Sequence, residues 1–336
     1  MVVNPFTLAS VLRELDPSIS TDDLIHKIKT IDLGLTAEDE FQAILTWLGR
    51  CKICHKLENI EFHSRKFHKI NVPDILAVFE YNDIKIVTAI EVKSNSSNKL
   101  DWKSEYYNDL LSYQEAIGIP VLIAWKHNDF GIWTLNSLSS FKKAVTNYHL
   151  SMENAFKDNL LSCIAGDRAY QLCDGVGLHI ESTKQSVVEK DLTSGEETWN
   201  VVISDAWFSD SSNEKYKEIP NGIWPLFLAS NLSAISTIND PIIIQEYIFK
   251  SKEENGFSLQ YLHMALPIII KFTQSDEMIN WRKMLKSDSL PVSGDELRKA
   301  LANTIGPFTR YVISVQPSHI PEFLNDEIVE KLFYKE

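Results

Sequence analysis

The chain has 336 residues, 44% hydrophobic and 24% charged, with 12 glycines and 12 prolines, a composition that excludes collagen-like, mucin-like and disordered classes. Its formal net charge of -13 is uneven: residues 1–150 hold 16 Lys+Arg against 19 Asp+Glu, whereas 151–336 hold 17 against 27. Such acidity argues against a protein that coats nucleic acid non-specifically, and leaves a local basic groove as the way to meet phosphates.

The most apolar stretch, Met264 to Ile270, is short and carries Pro267, so no membrane span is expected. The N-terminal run MVVNPFTLASVLRELD has no basic region and meets Arg13 and Glu14 early, which gives the expectation of a cytoplasmic protein. Four cysteines are too few for a disulfide scaffold.

In chain order, helices are expected near 5–15 and 21–30, followed by a capping-box pattern at Thr36-Ala-Glu-Asp, with Asp39 in the third helical position. That cap opens a helix running to Leu48 and stopping at Gly49, one face of which carries Glu40, Ala43, Ile44, Trp47 and Leu48. Residues 50–70 form the most basic window, with Arg50, Lys52, Lys56, Arg65, Lys66 and Lys69 against Glu58 and Glu61, and are expected to contact nucleic-acid phosphates. Asp74–Tyr81 reads as a strand, Asn82-Asp83 as a turn and Ile84–Lys93 as a second strand. A helix over 101–117 with Tyr106, Leu110, Tyr113 and Ile117 on its stripe comes next. An apolar strand at 120–125, a hairpin partner at 131–135 and a helix near 137–148 complete the unit. Beyond a boundary near 150–170, strands are expected around 175–181, 198–208 and 241–249, then helices within 257–305 and 320–333.

Chemistry concentrates in VPDILAVFEYNDIKIVTAIEVKS. Side chains alternate across a strand, so Glu91 and Lys93 share a face while Val92 points away. Asp74 can approach Glu91 across the hairpin. Two close carboxylates repel unless a cation or proton lies between them, and carboxylate oxygens with a backbone carbonyl and water suit Mg2+. Lysine beside such a pair can orient a water or offset charge growing on a phosphate. The run TAIEVK is apolar up to its acid, and buried charge requires a reason.

The order of an acid-bearing helix, Pro73-Asp74 strand, turn, Glu91-Val92-Lys93 strand, helix and apolar strand resembles the PD-(D/E)xK nuclease superfamily, over about residues 36–140. It looks like the core of archaeal-type Holliday-junction resolvases and of many restriction endonucleases. The resemblance implies an α/β fold, a restriction-endonuclease-like core with a central mixed β-sheet flanked by helices. It also implies metal ligation by Asp74, Glu91 and the Val92 carbonyl, with Lys93 positioning the attacking water. Glu40 matches the acid that the first core helix of such nucleases contributes, with Glu38 and Asp39 as rivals, and Gln114 beside Tyr113 matches a polar helix position facing the site.

These readings divide the chain into a helical segment 1–35, a nuclease core 36–150 and a C-terminal α+β domain 151–336 for specificity, dimerisation or partner binding. The expected activity is Mg2+-dependent DNA endonuclease, of restriction or defence type and homodimeric, with Mn2+ able to substitute and no nucleotide cofactor. The rival expectations are a structure-selective repair or recombination nuclease and a catalytically weak subunit that binds a protein partner through its acidic second half. Zinc at Cys51, Cys54, His63 and His68 is weighed against plain loop residues, which the short spacing between the two pairs favours.

Overall fold

The computed structural model describes residues 37–57, 71–218, 223–230, 232–250, 259–273, 279–286, 290 and 292–333. The expected helices at 5–15 and 21–30, Thr36, and His63, Arg65, Lys66, His68 and Lys69 lie outside the described residues. The chain divides into two compact units, the first comprising the described residues up to Gly166 with Asn280–Asp288 and Gln316–Glu336, the second Asp167–Ile279 with Ser289–Val315.

The first unit opens with helix α1 over residues 37–48, which buries Phe41, Ala43, Ile44, Leu45, Trp47 and Leu48. Gly49 ends it at a left-handed φ of 88°, a conformation that glycine reaches without a Cβ clash. Strands β1 (Cys51–Lys56), β2 (Ile75–Tyr81) and β3 (Ile84–Asn95) follow in antiparallel succession. Asn82 and Asp83 both take positive φ, as the tightest right-twisted hairpins require. β1 falls in the window read as a basic connection. Its alternate polar residues leave no apolar run, because as an edge strand it faces water with Lys52 and His55.

β4 (Lys99–Lys103) leads into helix α2 (Ser104–Ile117), which stops at Gly118, again with positive φ. β5 (Val121–His127) runs parallel to β3 and β6 (Ile132–Ser137) returns antiparallel, so the mixed central sheet has the order β1-β2-β3-β5-β6. One face of this sheet, with Ala89, Val121, Ile123 and Trp125, packs on Tyr107 and Leu110 of α2. On the opposite face the Phe41 ring of α1 lies 4.7 Å from that of Trp133. The helix expected near 137–148 is instead a short 3-10 turn at Leu138–Ser140 and two strands, β7 (Lys142–Lys143) and β8 (Asn147–Ser151), the latter pairing with β4. Aromatic packing selects that outcome, since Phe141 stacks on Trp102 at 4.5 Å and Tyr148 on Tyr107 at 3.7 Å. Helix α3 (Met152–Lys157) follows, capped by Ser151 Oγ, which accepts from the Asn154 N–H.

In the second unit β9 (Ala169–Leu172) forms the centre of a three-stranded sheet. The long strands β10 (Gly177–Lys190) and β11 (Glu197–Ser209) with β12 (Lys215–Tyr216) belong to a five-stranded antiparallel one. Helix α4 (Trp224–Ala229), strands β13 (Leu232–Asn239) and β14 (Ile242–Phe249), β15 (Gln260–Tyr261) and helix α5 (Ala265–Thr273) come next. Helix α6 (Trp281–Leu285) belongs to the first unit. Helix α7 (Gly294–Asn303) starts at a full capping box between Ser293 and Glu296, and β16 (Thr309–Ile313) pairs with β9. Helix α8 (Asp326–Phe333) lies again in the first unit. None of the described helices is long and apolar enough to cross a membrane.

Candidate active site

β2 ends its pairing with β3 at Ile75 opposite Ile90, so β3 runs on past the start of its partner. The backbone N–H of Val92 lies beyond that last pair, and it donates to Asp74 Oδ2 at 2.7 Å. This bond fixes the carboxylate of Asp74 beside the emerging end of β3, where Glu91 and Lys93 point to the α2 side of the sheet. Lys93 Nζ donates to Glu91 Oε1, and the hydroxyl of Tyr106, in the first turn of α2, donates to the same oxygen. Asp74, Glu91 and Lys93 therefore meet at one sheet edge, and Tyr106 joins them.

The electrostatics are unbalanced. Burial, then the negative charge of Glu91, push the Asp74 carboxyl up to about 7, with Glu38 adding to the push. Lys93 and the Val92 N–H act against it. Burial alone would lower the Lys93 ammonium, but Glu91, Tyr106 and Asp74 outweigh it and hold Lys93 above the ordinary lysine value. Tyr106 is pushed up by burial and by Glu91. Lys93 is thus a fixed cation at neutral pH, suited to holding a water or an anionic oxygen rather than to taking a proton.

A hard divalent cation fits this donor set. Asp74 Oδ1 and Glu91 Oε2 accept no hydrogen bond among the described residues, and a cation between the two carboxylates would relieve the repulsion that raises Asp74. No group of three or more His, Cys, Asp or Glu side chains is placed to hold a metal among the described residues, so two carboxylates are the side-chain complement. Magnesium sites commonly use one or two carboxylates and keep several waters.

Glu40 lies elsewhere. Its Oε2 pairs with Lys126 at 2.6 Å and its Oε1 accepts from Trp133 Nε1 at 3.0 Å, both on the sheet face opposite Glu91. The physical reason is that α1 covers the face of Lys126 and Trp133, while Ala89, Glu91 and Lys93 face α2. Of the three acids opening α1, Glu38 is the one whose charge reaches Asp74. Glu38 and Asp39 each hold Lys56 at 2.7 Å, and Asp39 Oδ2 also accepts from Arg282 Nε at 2.6 Å. Gln114 is likewise displaced from the cluster: its Oε1 accepts the Val121 N–H at 2.9 Å and anchors the start of β5.

The proposed phosphate contacts separate by burial. Arg50 is 3% exposed, with its guanidinium 3.5 Å from the Tyr81 ring centre and Nη1 donating to the Cys163 carbonyl at 2.8 Å, which removes it from the surface. Lys56 is held by its two acids, and Lys52 is exposed. Cys51 is buried and Cys54 half-buried on β1, and both are free thiols.

Tyr106 is the member that sequence reasoning did not single out. It heads the α2 stripe, and a tyrosine on a buried stripe must find a partner for its hydroxyl, which was the available signal.

No protein-family model matches the chain, and no curated protein matches it. Among solved structures it is similar to a Holliday junction resolvase from the archaeal hyperthermophile Archaeoglobus fulgidus, with 16% sequence identity and a TM-score of 0.29. That likeness is distant and covers 36% of this chain and 86% of the resolvase chain.

A second polar constellation sits in the second unit. His179 Nδ1 lies 2.9 Å from Glu246 Oε1 and Nε2 lies 2.7 Å from Ser209 Oγ, the order of groups seen in activated-serine enzymes. Ser209, however, is 0% exposed and donates to the Gly175 carbonyl at 3.3 Å, while the His179 ring stacks on Trp207 at 5.2 Å. A nucleophile sealed from solvent meets no substrate. This set pins β10, β11 and β14 together.

Proposed function

We propose that the first unit is a Mg2+-dependent DNA endonuclease with a PD-(D/E)xK centre, of the restriction or defence type. The observation that carries the reading is the meeting of Asp74 with Glu91 and Lys93 at one sheet edge, with repulsion that lifts Asp74 to about 7. Asp74, Glu91 and the Val92 carbonyl would hold the ion. When bound, it supplies a Lewis acid for the phosphate and an acidified water.

The chain's own groups do the rest. The Val92 N–H keeps Asp74 turned toward the site, and Tyr106 and Lys93 fix Glu91 through one oxygen so that the other faces outward. The Lys93 ammonium would place the attacking water and offset charge on the phosphate oxygens. Lys52 and the basic residues Arg65, Lys66 and Lys69 are the proposed phosphate contacts. Mn2+ substitutes for Mg2+ because both are hard cations that accept oxygen ligands.

The test is cleavage of supercoiled, linear and branched DNA in Mg2+, Mn2+ or EDTA by the full chain and by Asp74→Ala and Lys93→Ala. Metal-dependent cutting lost in both variants supports the assignment, and discrete fragments from linear DNA support the restriction type. Cutting confined to branched DNA would replace that type with a structure-selective nuclease. A folded chain that cuts none of these substrates would sink the nuclease reading.

A further inference from the structure

Away from Asp74, Glu91 and Lys93, the long hairpin of the second unit outgrows its own sheet. β10 and β11 are 14 and 13 residues long, far beyond the length their neighbours support. β14 pairs with β10 from Gly177 to Thr183 only, and β12 pairs with β11 at Phe208 and Ser209 only. From Glu197 to Trp207 the outer edge of β11 carries no strand among the described residues. The ribbon beyond Thr183 is two strands wide and exposes Val187, Val188, Val201, Val202 and Ile203.

We infer that a second copy of this chain docks on this open edge, the two β11 strands pairing antiparallel about a two-fold axis at Val202 to make one continuous sheet. Natural edge strands guard themselves with charge, proline or short length, whereas Thr198–Ser204 reads TWNVVIS, with no charge, proline or glycine. An isolated two-stranded ribbon is at best marginally stable in water, and a partner strand on its edge removes that weakness.

Charge then selects the occupant. Residues 184–203 carry Lys184 and Lys190 against Glu189, Asp191, Glu196 and Glu197, a balance that repels nucleic acid. The edge is complementary to itself. Its start is acidic, with Glu196 and Glu197. Its end is basic, with Lys215 lying 3.8 Å from the Trp207 ring centre and Lys217 bound to Asp205 at 2.7 Å. Antiparallel pairing centred on Val202 sets Glu197 of one copy opposite Trp207 of the other, beside Lys215, and the symmetry makes that contact twice. Nothing in this pairing depends on the chemistry at Asp74 and Glu91, so it survives or fails separately from the nuclease assignment.

The experiment uses the full chain. Sedimentation over a range of concentrations reads the oligomeric state, and Val202→Cys tests the register. Residues facing each other across an antiparallel pair have Cα atoms about 4.5 to 5.5 Å apart, within the span of a disulfide. With glutathione disulfide as oxidant, the two introduced thiols, one from each copy, join as one disulfide and glutathione leaves as two thiols. The expected result is a dimer that V202C locks covalently while the unaltered chain, with its four native cysteines, does not cross-link. Glu197→Lys or Lys215→Glu alone should weaken dimerisation about tenfold or more, and the double variant should restore it, with thermal melts showing that each still folds. A chain that stays monomeric at all concentrations without V202C cross-linking overturns the inference, as does a dimer that neither single charge reversal weakens.

Discussion

His179 in the second unit and Glu91 in the first are both buried polar groups on a central strand, yet their surroundings differ in kind. Around His179 each atom meets a complementary partner: Glu246 on one nitrogen, Ser209 on the other, Trp207 against the ring. Around Glu91 two donors crowd one oxygen while a second carboxylate, Asp74, is held near enough to be driven up to about 7. A saturated network stabilises a fold, and an unbalanced one stores a demand that an ion or substrate can meet.

The sharpest way to break that comparison is to remove charge on each side. Lys93→Ala should lower metal-dependent cleavage about a thousandfold while the melting temperature stays within a few degrees. Conversely, His179→Ala should destabilise the second unit by about 2 kcal/mol, read by chemical denaturation, because it strands Ser209 and Glu246, and should leave the rate of cleavage unchanged. Equal loss of activity in both variants would erase the distinction. Tyr106→Phe keeps the ring and removes one of the two donors to Glu91. Its expected effect is about tenfold weaker metal affinity in calorimetry, the size seen when groups supporting metal ligands are removed.

Asp74 gives the smallest and most specific effect. Its folded pKa of about 7 lies above the ordinary 3.8, so between those values the folded state holds a proton that the unfolded chain releases. Stability from this group is full below about pH 4 and is lost as pH rises through 7. In EDTA, melting temperature should therefore fall by about 2 °C or more between pH 5 and pH 8, and Asp74→Asn should flatten that slope. Mg2+ should flatten it too, by stabilising the ionised pair. An unchanged slope in Asp74→Asn would show that the repulsion is not felt.

How much of this was legible follows from what each pattern encodes. The β2–β3 hairpin is legible because apolar runs flank Asn82-Asp83, residues that tolerate positive φ. Helical spacing shows that Glu40 shares a face with Ala43 and Trp47, and all three are indeed buried. It does not tell which side of the sheet the helix covers, and that side decides that Glu40 meets Lys126 and Trp133. β1 escapes notice because CKICHK has the composition of a loop, and an edge strand needs only half a core. The 137–148 stretch fails as a helix for a tertiary reason, the stacking of Phe141 and Tyr148 on Trp102 and Tyr107.

The first unit closes over residues made at very different times. Asp39 is matched by Arg282, 243 positions later, and the Asn82 side chain donates to the carbonyl of Lys331, 249 positions later. A ribosome delivers the acid-bearing strands early and must then synthesise most of the second unit before Arg282 and α8 emerge. A nascent chain halted before residue 280 would carry Asp39 with Lys56 as its remaining counter-charge and a hairpin turn without its Lys331 contact. Any cutting activity housed in that unit is thereby scheduled: the part that acts on DNA is finished late in translation.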